Sequence, residues 1–122
     1  MSTIRSLYKF SRNEGSCPGD LTYDVILNPD HDVFKGHFPH QPVLPGVMIL
    51  RLIVSCAGDA AERQLRMKKT SQCKFLNFVD PVVHHDLQLQ LSIYEVNEGW
   101  DVKAVLKNKE MIFTRASLIL FT

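Results

Sequence analysis

The sequence predicts an α+β domain in which a curved antiparallel sheet wraps one long central helix. Three observations carry that expectation. After Pro45-Gly46, residues 47–62 form a largely apolar run with aliphatic side chains on nearly every helical face, the pattern of a helix enclosed by other structure. Leu87-Gln88-Leu89-Gln90-Leu91-Ser92-Ile93 alternates strictly, which puts its aliphatic side chains on one face of a strand. Strand-like segments also lie both before and after the helix, an order that fits a sheet packed on one helix.

Taken in order, Ile4 to Phe10 and Asp20 to Asn28 mix apolar and polar residues around the breaker cluster Gly15-Ser16-Cys17-Pro18-Gly19. They read as two strands or a loose hairpin. Four of the chain's six prolines fall between Pro29 and Pro45, which forbids regular ladders or helical turns over most of that window. It is a shaped loop. The helix that follows extends about 25 Å at 1.5 Å per residue, the breadth of a small domain. Four strands come next: Ser71 to Val79, the alternating segment from Leu87 to Ile93, Trp100 to Leu106, and Met111 to Phe121. Asn97-Glu98-Gly99 and Asn108-Lys109 supply turns between neighbours. No repeat or low-complexity tract divides the chain, so residues 1–122 are expected to form one domain.

Composition excludes several classes of function. With 45% hydrophobic and 22% charged residues over 122 positions, the chain can bury a core, unlike a disordered segment. A formal charge of +1 is far from the basic balance of a protein held to nucleic acid by phosphate neutralisation. Cys17, Cys56 and Cys73 are odd in number and lack C-x-x-C spacing, so neither a disulfide framework nor a thiolate zinc site is expected. A reducing cytoplasm suits them. Arg5, Lys9 and Arg12 interrupt the N-terminal stretch before a signal-peptide run can build. The most apolar stretch, Val47 to Ala61, contains Arg51 and Asp59 and is too short to span a bilayer.

Unusual residues concentrate in Gly36-His37-Phe38-Pro39-His40-Gln41-Pro42-Val43-Leu44-Pro45-Gly46. Its prolines restrict the backbone and hold His37 in a defined place relative to the helix start. The free N–H groups and positive dipole end found there favour a developing negative charge. A base beside an oxyanion site is one reading; an ordinary connection with a packed histidine is the other.

The segment resembles the signature of the beta-hydroxyacyl-acyl carrier protein dehydratases, hot-dog-fold lyases that carry Gly-His-Phe-Pro-Gly-x-Pro-Val-x-Pro-Gly-Val before their central helix. Gly36 to Pro39, Pro42, Val43 and Pro45 to Val47 match it. Lys74-Phe75, Pro81-Val82 and Asp86-Leu87 resemble the stretch that follows the helix in that family. The resemblance implies a hot-dog fold and dehydration, or reverse hydration, of 3-hydroxyacyl thioesters without a cofactor. It further implies a homodimer or higher oligomer with its sites at the subunit boundary. His37 would be the base at C2, and the amide of Gly46 would bond the thioester oxygen. Val43, Pro45 and Arg51, which flank this proposed centre, are assigned to substrate binding.

Arg51 departs from the family, which places Glu or Asp there. An arginine stays protonated and donates without accepting, so it does not replace an acid that exchanges a proton. Three arrangements remain open. Arg51 stabilises the enolate while His37, alone or with water, moves the protons. In a heterodimer, a partner subunit brings the missing carboxylate to His37. Or the site is degenerate, Arg51 pairs with a nearby acid, and the chain is a scaffold or acyl-binding subunit. Asp59 and Glu62 lie two or more turns beyond Arg51, roughly 12 Å along the axis, too far to substitute directly. A thioesterase of the same fold would need a carboxylate or ordered water near His37, and the sequence offers no such carboxylate.

His37 and His40 form H-x-x-H, with His84-His85 as further nitrogen donors, but no Cys or acid at ligand spacing completes a metal site. From Arg63 to Lys74 there are five cations, Arg63, Arg66, Lys68, Lys69 and Lys74, and no anion. A solvated helix end and loop is one reading of this patch. The other, raised by the resemblance, is a docking surface for an acidic acyl carrier protein.

Overall fold

The computed structural model describes residues 6–13, 19–34, 43–97 and 99–122. Among them, strands β1 (Tyr8–Arg12), β2 (Asp20–Leu27), β3 (Arg66–Phe75), β4 (Asp86–Val96), β5 (Gly99–Lys107) and β6 (Ile112–Phe121), with helix α1 (Gly46–Ala61), make up the domain. The strands form one antiparallel sheet in the order β1-β2-β4-β5-β6-β3. This is the hot-dog arrangement, a sheet wrapped around one helix.

Alternation drives the wrapping. Leu21, Tyr23, Val25 and Leu27 of β2, Leu87, Leu89 and Leu91 of β4, Val102, Ala104 and Leu106 of β5, and Ala116, Leu118 and Leu120 of β6 are all buried. They share one core with Ile49, Leu52, Ile53, Cys56 and Ala57 of the helix. At 25 cal/mol per Å² of apolar area, the burial of those aliphatic side chains is the main force that closes the sheet on α1.

The helix begins and ends as its residues dictate. Pro45, in an extended conformation with φ −63° and ψ 144°, stands at the N-cap, and its carbonyl accepts from the N–H groups of Met48 and Ile49. At the other end Glu62 takes the left-handed conformation with φ 56°, and the N–H of Arg63 returns to the Gly58 carbonyl at 3.0 Å. A Cβ at position 58 would lie 2.8 Å from the Arg63 carbonyl oxygen, so this tight exit requires glycine.

Several boundaries differ from those the sequence suggests. β1 begins at Tyr8 rather than Ile4 and runs to Arg12. β3 begins at Arg66 rather than Ser71 and ends at Phe75 rather than Val79. β3 is an edge strand with nearly every residue exposed, so it lacks the alternation of burial that marks the inner strands. Its pairing with β6, from Arg66 opposite Phe121 to Phe75 opposite Thr114, decides its extent. The breaker cluster at 15–18 and Glu98 of the β4–β5 turn lie outside the described residues. The second turn forms as expected: Asn108 Oδ1 accepts from the N–H groups of Glu110 and Met111, each at 2.8 Å.

Candidate active site

The described part of the proline-rich segment starts at Val43, so His37 and His40 lie outside the described residues. Val43 and Pro45 are half-buried where the chain enters α1. The N–H of Leu44 donates to the Val79 carbonyl at 2.9 Å, which ties this entry to the β3–β4 connection. Gly46 is the first helical residue, and the N–H groups of Gly46 and Val47 have no backbone acceptor among the described residues. N–H groups at a helix start suit an anion or a polarised carbonyl oxygen.

Arg51 is exposed, about 7.5 Å further along the axis at 1.5 Å per residue. It lines a groove of about 570 Å³ between the helix, β1 and the start of β3, with Tyr8, Val47, Leu50, Val54, Ser55, Leu65, Arg66 and Met67. Val47, Leu50, Val54, Leu65 and Met67 give it apolar walls, and the Tyr8 hydroxyl lies 3.4 Å from Ser55 Oγ.

No acid among the described residues pairs with Arg51, so pairing with a nearby described acid does not account for it. Asp59 is engaged elsewhere. Its Oδ2 accepts from the Tyr23 hydroxyl at 2.7 Å and from Arg12 Nη2 at 3.2 Å, which makes it a salt-bridged residue. Burial and the bond to Asp59 raise the Tyr23 hydroxyl to about 12. Cys56 is wholly buried, and burial pushes its thiol up, as befits a core residue and not a nucleophile.

Among the described residues no three His, Cys, Asp or Glu side chains gather closely enough to hold a metal ion. His84 Nδ1 accepts the Asp80 N–H at 3.1 Å, and its ring packs 5.0 Å from that of Phe113. That is a structural role in the β3–β4 connection. No described helix is long and apolar enough to cross a membrane.

All five cations of the basic run are exposed. Arg66, Lys68, Lys69 and Lys74 stand on strand β3, not on a helix end and loop. Arg63 lies just after the helix, 5.6 Å from the Trp100 ring centre. The sheet adds cations that the linear sequence hides. Arg115 is the register partner of Lys74, and Lys103 lines the same depression of about 650 Å³ on the sheet's outer face. Alternation along β6 and β5 hints at their outward direction, but only the strand order puts them beside β3.

Comparison with known proteins gives the family and the fold. The ApeI-like family model, described as ApeI dehydratase, matches residues 12–113. A 3-hydroxyacyl-[acyl-carrier-protein] dehydratase FabZ from Nitrosomonas europaea is 30% identical over 105 residues, covering 79% of this chain and 67% of the relative. The chain belongs to the ApeI-like dehydratase family. In fold it is similar to the dehydratase heterocomplex ApeI:P from Xenorhabdus doucetiae, with a TM-score of 0.72, 21% identity, and coverage of 92% of this chain and 95% of that one. It is also similar to a hypothetical thioesterase with coenzyme A from Streptococcus pneumoniae, with a TM-score of 0.69, 9% identity, and coverage of 93% and 84%. Dehydratase and thioesterase thus share the fold, and membership of the family separates them.

Proposed function

We propose that this chain dehydrates 3-hydroxyacyl thioesters carried on acyl carrier protein, or hydrates the enoyl product in reverse, in fatty-acid or related acyl-chain biosynthesis. The observation that carries the reading is the helix start at Gly46 and Val47, whose N–H groups have no backbone acceptor among the described residues, at the end of a segment that bears His37 in the dehydratase motif. His37 takes the proton from C2. The thioester oxygen, gaining negative charge, is bonded by the Gly46 N–H, aided by the helix dipole. The C3–O bond then breaks, and the hydroxyl leaves as water with the proton that His37 carries. Arg51, in the groove and paired with no described acid, stabilises the enolate or the departing oxygen by donation alone. Val43 and Pro45 line the approach. These steps need no metal or organic cofactor.

The exposed edge of β3 and the exposed apolar residues Val47, Phe75, Leu76, Phe78, Val82 and Val83 support an oligomer in which a second subunit completes the site. A single hot-dog unit per chain is the building block. The reducing cytoplasm suits Cys56 and Cys73, which are unpaired. Arg66, Lys68, Lys69 and Lys74, with Arg63, supply a cationic edge for an acidic carrier protein.

A second reading rests on Arg51, which stands where an acid is expected and pairs with no described acid. In it the partner is a different hot-dog subunit that brings the carboxylate to His37, and this chain alone is silent. The test follows the conjugated-thioester absorbance with purified chain and an enoyl or 3-hydroxyacyl thioester, beside a free-thiol assay for hydrolysis. Dehydration without thiol release supports the first reading. Silence in both assays, with tight carrier binding, supports a non-catalytic or heterodimer subunit, and thiol release supports a thioesterase.

A further inference from the structure

We propose that Phe75 is a positioning residue of the acyl site, its ring forming the wall that holds a thioester carbonyl against the N–H groups at the start of α1. This rests on the reading of Gly46 given above and adds a residue to which the sequence motif gives no role. A Cβ built on Gly46 would lie 2.8 Å from Phe75 Cζ, 3.1 Å from Cε2 and 3.2 Å from Cε1. The outer edge of the ring therefore sits on the glycine itself. Position 46 must lack a side chain for the ring to occupy that place, and φ is not the reason, because Gly46 is not among the glycines with positive φ.

The contact is not ordinary core packing. Phe75 keeps 52% of its surface exposed, so only part of the ring is spent on the helix start and the rest faces whatever approaches it. Residues that serve the core of this domain, such as Phe113 and Leu52, are fully buried. The backbone that carries the ring is also anchored. Phe75 is the last residue of β3, opposite Thr114 of β6, and Leu76 N–H donates to the Phe113 carbonyl at 2.8 Å. Across the contact, the Leu44–Val79 hydrogen bond clamps the helix entry to the same connection. An apolar ring held beside these N–H groups shields them from water on that side in the proposed arrangement. In that drier setting a hydrogen bond to a developing oxyanion is worth more than in water.

The test uses a short acyl-pantetheine ketone, in which CH2 replaces the thioester sulfur, and the amide NMR signal of Gly46 in the full chain. With wild-type protein the ketone should shift the Gly46 amide downfield. With Phe75→Ala the shift should shrink or vanish, and with Phe75→Leu it should return in large part. Enoyl-thioester turnover should follow the same order, with kcat down about tenfold in Phe75→Ala, KM within threefold, and the melting temperature little changed. An undiminished Gly46 shift in Phe75→Ala, or a lowered melting temperature with unchanged kcat, overturns the proposal and leaves the reading of Gly46 standing. The absence of any Gly46 shift in wild-type protein overturns that reading, and this proposal with it.

Discussion

The hydroxyl of Tyr23, on a wholly buried side chain in β2, donates to Asp59 Oδ2 in the last turn of α1 at 2.7 Å. Arg12 of β1 reaches the same carboxylate oxygen and, at 3.0 Å, the Asp59 carbonyl. Two strands are thereby tied to the helix end, opposite the end that carries Gly46. Removing the hydroxyl deletes a charge-assisted hydrogen bond and leaves the ring packing intact. Tyr23→Phe should lower stability by about 1–3 kcal/mol, measured by urea unfolding at neutral pH.

The same hydroxyl predicts alkaline behaviour. Its folded value, near 12, is raised above the ordinary tyrosine value of 10.0, so the folded state holds this proton more tightly than the unfolded one. The stabilisation is fully present below about pH 10 and is lost as pH rises toward 12. Unfolding free energy should fall with pH across that window in wild-type protein. In Tyr23→Phe this component of the slope should disappear.

For the proposed site, His37→Ala should abolish dehydration, with a fall in kcat of about 10²-fold or more. Arg51→Glu restores a group able to exchange a proton at the helix position facing the groove, and should raise kcat where the site is otherwise intact. Steady-state hydration of an enoyl thioester measures both. No change in either variant would remove these residues from the site.

Charge reversal on the edge strand separates docking from chemistry. Lys69→Glu combined with Lys74→Glu should raise KM about tenfold for a carrier-bound substrate and leave KM for the matching pantetheine thioester unchanged. The wild-type preference for the carrier should shrink as salt rises, because exposed charges are screened. Equal effects on both substrates would argue against a docking role.

Thr114 is fully buried, and its Oγ1 finds no hydrogen-bond partner among the described residues. Replacing the hydroxyl by a methyl of similar shape removes a desolvated polar atom. Thr114→Val should therefore leave stability unchanged or raise it by about 1 kcal/mol, read as a higher melting temperature.

Much of this was legible along the chain. Pro45 and the apolar run announced α1, the Leu87–Ile93 alternation announced β4, and the proline-rich motif pointed to Gly46. β3 was legible only in part, because an edge strand exposed on nearly every residue carries no period of burial to read. Phe75 was visible as half of a Lys-Phe pair, but nothing local places its ring on a glycine twenty-nine positions earlier.

By itself, then, the sequence determined which segments are helix and inner strand, because these follow from local periodicity and residue type, while the chemistry proposed for His37 and the helix start came from the likeness of the proline-rich segment to a dehydratase motif. The tertiary structure decided that Asp59 is bound by Tyr23 and Arg12 and is lost to Arg51, that Lys74 meets Arg115, and that Phe75 covers Gly46. Such pairings depend on strand order and on how the sheet closes over the helix, and these are set by long-range burial that no short window of residues encodes.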